Sequence, residues 1–158
     1  MVRARQAVAA DAAELVRLRA VMIEALDGRI GNEHGWREHA AQTLRKRLAD
    51  PDGSMAAFVV DRPGEPGALA ACAVGVVEHL LSSPSNPSGT LGYLFNVATE
   101  QAHRRRGYSR ACVVALLDWF RRREVGVVDL HASQHGAPLY TALGFRPTAD
   151  PSMRLRLR

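Results

Sequence analysis

A strand-like run, a basic turn and an apolar helix follow one another in the middle of this chain. The run is Leu91 to Thr99, the turn is residues 104–110 (RRRGYSR), which we call the arginine turn, and the helix extends from about Ser109 to Arg123. The first backbone N–H groups of a helix have no partner within it, and the helix dipole adds positive potential at that end. Glycine in the turn lets the backbone take an unusual φ or approach a ligand closely. The arrangement requires a fold in which a strand delivers the chain into a helix, and it predicts an anion site at the turn.

The chain has 158 residues, of which 47% are apolar. This length suits one domain with a real core and is too short for two ordinary domains, so residues 1–158 are predicted to form a single domain. No apolar run is long enough to span a bilayer, and the basic N-terminal residues lack the apolar block of a secretory signal. Cys72 and Cys112 lie in apolar runs and are interpreted as buried free thiols. These features predict a cytoplasmic protein that does not insert into a membrane.

The net charge of +5 is spread unevenly along the chain. Residues 1–100 hold 10 basic and 12 acidic side chains, a balance of −2, and residues 101–158 hold 11 and 4, a balance of +7. The positive half contains the arginine turn and should attract an anionic ligand. A nucleic-acid-binding module is the alternative, which the scarcity of aromatic residues other than Tyr108 among the arginines makes unfavourable.

Apolar spacing and breaker residues predict the remaining elements. Asp11 is expected to cap a first helix, with Glu14 completing a capping box, and Phe145 is expected to open a further strand. Strict alternation from Met153 to Arg158 predicts an edge strand. The other predicted elements are a short strand ending at Ala4-Arg5, a helix over Trp36 to Leu48, strands over Met55 to Asp61, Ala68 to Val77 and Val125 to Ala132, and a short helix near Gly136 to Leu143. Helices placed between strands indicate an α/β (α+β) fold with a mixed sheet covered on both faces.

The arginine turn resembles a known phosphate signature. Arg104-Arg105-Arg106-Gly107-Tyr108-Ser109 is similar to the Arg/Gln-x-x-Gly-x-Gly/Ala motif that follows the fourth strand in the GNAT superfamily of N-acetyltransferases. Serine replaces the last small residue, and Gln101 stands where the family often has proline. Neither difference removes a backbone N–H group from the turn.

A second motif lies downstream, at residues 133–145 (SQHGAPLYTALGF). It resembles the Asn-x-x-Ala-x-x-Leu-Tyr-x-x-x-Gly-Phe pattern of the same family, with serine and glycine in place of asparagine and alanine. The order and spacing of both motifs fit, and the resemblance covers nearly the whole chain. It implies a single GNAT domain with a mostly antiparallel twisted sheet of six to seven strands, about four helices on both faces, and splayed central strands that hold acetyl-CoA.

The resemblance also implies roles for individual residues. Val97, Ala98 and Thr99 would contact the pantetheine arm through the backbone, with the Val97 amide polarising the thioester carbonyl. Ser133 would contact the cofactor, and Tyr140 would protonate the leaving thiolate. The N–H groups of the arginine turn would bind the pyrophosphate, with arginine side chains reaching the other phosphates. The implied cofactor-binding residues are Val97, Ala98, Thr99, Arg104, Arg105, Arg106, Gly107, Tyr108, Ser109, Arg110 and Ser133.

The predicted reaction is acetyl transfer to a primary amine of a small molecule or peptide by direct attack in a ternary complex. Relatives of this kind are often homodimers. Candidates for the general base are Glu33 and His34, or Glu78 and His79; a water chain that ends on backbone carbonyls is equally possible, and the sequence assigns no base. The segments Leu26 to Trp36 and Ser82 to Gly89, which have the least regular pattern, are expected to select the amine.

One further interpretation stays open at the level of sequence. A protein that binds acyl-CoA as a sensor without catalysis is compatible with the absence of a carboxylate or histidine from Tyr93 to Val97. A metal site is not predicted. The pairs His34/Glu38 and His131/His135 have helical spacing, but neither has a convincing third ligand.

Overall fold

In a computed structural model, which describes residues 2–158, five strands form one sheet with four helices around it. The strands are β1 (Arg5–Gln6), β2 (Met55–Asp61), β3 (Leu69–His79), β4 (Thr90–Thr99) and β5 (Val128–Leu130). The helices are α1 (Ala12–Asp27), α2 (Trp36–Leu48), α3 (Tyr108–Arg122) and α4 (Ala137–Ala142). Within residues 2–158, none of the helices combines the length and the apolarity needed to cross a lipid bilayer.

The sheet is mixed and mostly antiparallel, as the sequence predicts. Its spatial order is β1-β2-β3-β4-β5; the first four strands pair antiparallel, and β5 runs parallel to β4. A parallel neighbour needs a crossover, and α3 supplies it between β4 and β5. After β4 the chain passes through a short 3-10 helix, Gln101–His103, and then through the arginine turn, whose last residues begin α3.

Both faces of the sheet are covered. Along β2, Ala57 and Val59 pack into the cluster beneath α1 and α2, whereas Phe58 and Val60 pack into the cluster beneath α3 and α4. Successive side chains of a strand point to opposite faces, so one strand contributes to two cores. This double coverage explains why β2 and β3 are buried along most of their length.

Helix α3 lies unusually close to the sheet. A Cβ atom added at Gly75 would lie 2.7 Å from Cζ of Phe120, and one at Gly92 would lie 2.8 Å from Cε1 of the same ring. Only glycine leaves space for this ring, which is 1% exposed. The close approach on β3 and β4 positions α3, and with it the arginine turn at its start.

Strand β4 contains a bulge at Asn96. Between the cross-strand pairs Cys72–Ala98 and Val74–Phe95, β4 has one residue more than β3. Asn96 has a φ of 53°, in the left-handed region that asparagine tolerates better than most residues. A bulge bends its strand and increases its twist, so β4 changes direction near its middle.

Strands β4 and β5 part after a short contact. Their register covers only Gly92 to Leu94 of β4, opposite Val128 to Leu130. Within the described part of the chain, residues 95–99 of β4 have no strand on that side. The splay of the central strands expected from the family resemblance is therefore confirmed, and it leaves an open strand edge facing a gap.

The predicted number of strands, six to seven, is wrong, because residues 2–158 form five. No strand begins at Phe145, and Met153 to Arg158 stays exposed without strand pairing. The last strand is also shorter than predicted. Val125 still completes the end of α3 through a hydrogen bond from its N–H to the carbonyl of Phe120, so β5 begins only at Val128.

The predicted capping box of α1 does not form, because both of its carboxylates are engaged elsewhere. The Asp11 carboxylate accepts hydrogen bonds from the Val8 N–H at 2.8 Å and from Arg5 at 2.9 Å. Glu14 accepts instead from the Leu69 N–H at 2.8 Å and from the Arg17 side chain. Asp11 thereby fixes the segment that leads into α1, and Glu14 ties α1 to the start of β3.

Candidate functional site

A cavity of about 1060 Å³ lies where β4 and β5 part. Its walls come from α1, β4, the arginine turn, the residues that follow β5, and α4. Tyr140 and all of the implied cofactor-binding residues except Arg106 line it. Segments distant in sequence are thus brought to one place, in a volume suited to a small-molecule ligand.

The backbone of the arginine turn has the form of an anion cradle. Arg105 has a φ of 62° and Gly107 a φ of 77°, so left-handed residues alternate with others along the turn. Within residues 2–158, none of the N–H groups from Arg105 to Arg110 has a hydrogen-bond partner. Consecutive unpartnered N–H groups in such a turn form a concave site for anions, and the start of α3 adds its dipole.

Side chains around the turn fix it to the end of β4. The Arg104 Nε donates to the carbonyl of Thr99 at 3.3 Å, and the hydroxyls of Thr99 and Ser109 are hydrogen-bonded to each other. The rings of His103 and Tyr108 stack with their centroids 6.1 Å apart. The first turn of α3 is therefore held against the strand that leads into it.

The guanidinium groups of the turn are placed on the surface. Arg104, Arg105 and Arg106 are exposed, and the side chain of Arg106 does not line the cavity. Their charge still raises the local positive potential, because unpaired arginines at a cleft attract anions over several ångströms.

Tyr140 on α4 places a phenol at the cavity wall. The residue is 8% exposed, and its hydroxyl has no hydrogen-bond partner within the described residues. Burial raises the pKa of Tyr140 above its ordinary value, so the phenol stays protonated at neutral pH. Its ring contacts Phe145 edge-on, with centroids 5.9 Å apart. The cavity wall thus carries a protonated hydroxyl at this point.

Ser133 and Gly136 shape the wall next to Tyr140. The Ser133 Oγ accepts a hydrogen bond from the Gly136 N–H at 3.1 Å, which leaves the hydroxyl proton available to a ligand. A Cβ atom at Gly136 would lie 2.9 Å from Cε2 of Tyr140. The glycine that departs from the family pattern is therefore required by the position of the tyrosine ring.

A second part of the lining, which we call the α1 wall, consists of Arg19, Met22 and Leu26 of α1 with Tyr93 and Phe95 of β4. The two aromatic rings stack with centroids 5.7 Å apart. The Nη1 of Arg19 donates to Oδ1 of Asn96 at 2.9 Å. Sequence reasoning missed Arg19 and Asn96, because helical spacing on α1 predicts only a core-facing stripe.

The predicted general bases lie elsewhere. Glu33, His34, Glu78 and His79 do not line the cavity, and neither do residues 82–89. Of the segment 26–36 that was expected to select the amine, only Leu26 reaches the lining. The imidazoles that do line it are His103, His131 and His135, and His131 contacts the ring of Tyr93 edge-on at 5.7 Å.

The model of the acetyltransferase (GNAT) family matches residues 20–145, which is most of the chain. The chain belongs to the GNAT family. It is accordingly an acyltransferase, and its cofactor is acetyl-CoA.

Three solved structures share the fold of this GNAT protein. A GCN5-related N-acetyltransferase from Ralstonia eutropha has a TM-score of 0.81 at 27% identity, with 98% of this chain and 99% of that chain covered. A protein of Clostridium acetobutylicum described as a predicted acetyltransferase, crystallised with acetyl-CoA, has a TM-score of 0.80 at 23% identity, covering 99% and 97%. Glucosamine-6-phosphate N-acetyltransferase from Arabidopsis thaliana has a TM-score of 0.73 at 15% identity, covering 98% of each chain. No curated protein sequence matches this chain.

The two cysteines of this GNAT protein lie outside the chemistry of the cavity. Cys72 and Cys112 are buried free thiols in the two different core clusters, as the sequence predicts. Burial raises the pKa of Cys72 to about 12 and also raises that of Cys112. Both thiols therefore stay protonated and unreactive. Within residues 2–158, no cluster of three or more metal-ligating side chains occurs.

Proposed function

We propose that this GNAT protein transfers the acetyl group of acetyl-CoA to a primary amine of a small molecule or peptide, by direct attack in a ternary complex. One observation carries the proposal: the unpartnered amides of the arginine turn, the open edge of β4 and the protonated hydroxyl of Tyr140 all meet in one cavity. These are the anion site, the extended binding edge and the proton donor that such a transfer needs.

The cofactor is held mainly by the backbone in this proposal. The N–H groups of residues 105–110 bind the pyrophosphate, and Arg104, Arg105 and Arg106 neutralise phosphate charge. Val97, Ala98 and Thr99 line the open edge of β4 and hold the pantetheine arm as an added strand would be held. Ser133 donates its hydroxyl proton to the arm from the other wall.

The reaction forms a C–N bond and breaks a C–S bond. The amine nitrogen attacks the thioester carbonyl carbon, and the Val97 N–H donates to the oxygen that gains negative charge. The C–S bond then breaks, and the sulfur of coenzyme A takes the proton of Tyr140. The attacking nitrogen loses its proton to solvent in the cavity, and the Tyr140 phenolate regains a proton from the same solvent, which His103, His131 and His135 also line.

Calorimetric titration with acetyl-CoA tests the first step. Binding with a Kd well below roughly 1 mM is expected from six backbone donors and a positive potential. Absence of binding at that concentration would overturn the proposal.

Release of coenzyme A in the presence of a broad panel of primary amines tests the second step. Amine-dependent release supports acetyl transfer. Tight binding of acetyl-CoA with no release for any amine would instead support an acyl-CoA sensor, which is the second candidate because no carboxylate of residues 2–158 lines the cavity. The single domain over residues 1–158, the homodimer and the cytoplasmic location stay predictions.

A further inference from the structure

One arginine of the cavity lies outside the arginine turn. Arg19 extends from α1, and its Nη1 donates to Oδ1 of Asn96 at 2.9 Å. Asn96 is 7% exposed and lies in the bulge of β4, so its side chain is a firm support. Asn96 is also the neighbour of Val97. The charge of Arg19 is therefore held beside the point where the thioester is proposed to lie.

Most of the N–H donors of Arg19 have no partner within residues 2–158. Arg5, Arg17 and Arg62 each form salt bridges with carboxylates, whereas Arg19 forms none within residues 2–158. A guanidinium has five N–H donors in a planar fork, and the contact with Asn96 uses one of them. The remaining fork matches the two oxygens of a carboxylate.

The surroundings of Arg19 specify the rest of the ligand. No aspartate or glutamate of the described residues lines the cavity. Met22 and Leu26 follow Arg19 at i+3 and i+7 on the same face of α1, and Tyr93 and Phe95 add aromatic surface. A polycationic amine would find no counter-charge in this cavity. A ligand with a carboxylate and an apolar group would instead find Arg19 for the one and apolar and aromatic side chains for the other.

We propose that the acceptor is an amino acid with an apolar side chain, and that Arg19 binds its carboxylate. The inference rests on the acetyl transfer proposed above and names the substrate class for that same cavity. The carboxylate pairs with Arg19, the side chain packs on the α1 wall, and the α-amine faces the thioester. Arg19 acts here as a specificity-determining residue, since it binds a part of the substrate that does not react.

Matched pairs of amines test this assignment. Leucine, methionine and phenylalanine are each compared with the amine left when the carboxylate is removed: 3-methylbutylamine, 3-(methylthio)propylamine and 2-phenylethylamine. At saturating acetyl-CoA, kcat/KM for at least one amino acid should exceed that of its partner by at least about 30-fold, because a charge-assisted bidentate contact is lost in the partner. Equal values in all three pairs would overturn the proposal.

The variant Arg19→Gln tests whether this residue causes the preference. Glutamine keeps a donor for Asn96 but removes the charge and the fork, so the ratio within the best pair should fall to about 3-fold or less. Arg29→Gln, an exposed arginine beyond the end of α1 that does not line the cavity, is the matched control and should keep the ratio. A preference that survives in Arg19→Gln would overturn the role of this residue.

Failure of the proposed function is distinguishable from failure of this inference. The same pairs are titrated calorimetrically into the complex with coenzyme A, which needs no turnover. Preferential binding of the amino acids without release of coenzyme A would sink acetyl transfer and keep the carboxylate site. Turnover of amines without any preference for a carboxylate would keep acetyl transfer and sink the site.

Discussion

The arginine turn is built from consecutive main-chain amides, whereas the α1 wall is built from side chains of two separate elements. One continuous segment, residues 105–110, supplies every donor of the turn. The α1 wall exists only after α1 has been placed across β4 by packing. Backbone amides remain in place when side chains are substituted, so they can hold a ligand that a whole family shares. Side chains such as those of the α1 wall change with substitution, so they suit a ligand that is particular to one protein.

The largest effect should follow from a change to the backbone of the turn. Gly107 has a φ of 77°, and Val at this position would force it out of the left-handed region and turn the amides away from the pyrophosphate. We expect acetyl-CoA binding to weaken by about 100-fold, measured by calorimetry. Gly64 has a similar φ of 75° and an equally open environment in the turn between β2 and β3. Gly64→Val should therefore cost stability without loss of cofactor affinity; equal loss in both variants would show that strain alone is responsible.

Loss of the Tyr140 hydroxyl should have an effect nearly as large as the change at Gly107, but on turnover rather than on cofactor binding. Tyr140→Phe removes the proton donor, and kcat should fall by about 100-fold while the Kd of acetyl-CoA changes by less than about twofold. Tyr93→Phe removes a hydroxyl from the same cavity and serves as the control, with kcat near that of the wild type. An unchanged kcat in Tyr140→Phe would remove this residue from the role of acid.

A smaller effect should distinguish the α1 wall from the turn. Leu26 is 58% exposed, so Leu26→Ala removes contact area for the acceptor without opening the core. The KM for the amine should rise by about 3- to 10-fold, with the Kd of acetyl-CoA unchanged. Leu81→Ala lies next to residues 82–89, which do not line the cavity, and should leave KM unchanged. A larger effect of Leu81→Ala would restore that loop as a determinant of the acceptor.

The smallest effect is on stability alone. Hydrogen bonds from Arg17 lower the pKa of Glu14, against the opposing effect of burial, and the Leu69 N–H lowers it further. A carboxyl with a pKa lower in the folded than in the unfolded state stabilises the fold above its unfolded pKa and loses that contribution as pH falls. Glu14→Gln should thus cost about 1–2 kcal/mol at pH 7, and the difference should shrink below roughly pH 4. Denaturant unfolding at both pH values measures it, and a pH-independent difference would exclude the ionised group as the cause.

The sequence predicted most of the arginine turn and little of the α1 wall, for physical reasons. The glycine of the turn and the start of α3 lie within a few residues of each other, so a local sequence pattern is enough to predict the unpartnered amides. That Arg105 also takes a left-handed φ is not visible in any pattern, because arginine has no preference for it. Arg19 and Asn96 are 77 residues apart and meet only through tertiary packing. The end of the chain shows the opposite case: alternation from Met153 to Arg158 predicts an edge strand, but the segment finds no strand partner within the described residues.

The burial of the two cysteines has a practical consequence for measurements of this reaction. Each acetyl transfer liberates one molecule of free coenzyme A, and an aromatic disulfide reagent reports it as a coloured product. Cys72 and Cys112 are both 0% exposed, so the folded catalyst should contribute almost no colour of its own. A slow rise in absorbance without any amine would then indicate unfolding. The same assay would therefore report both the loss of folded protein and the rate of acetyl transfer.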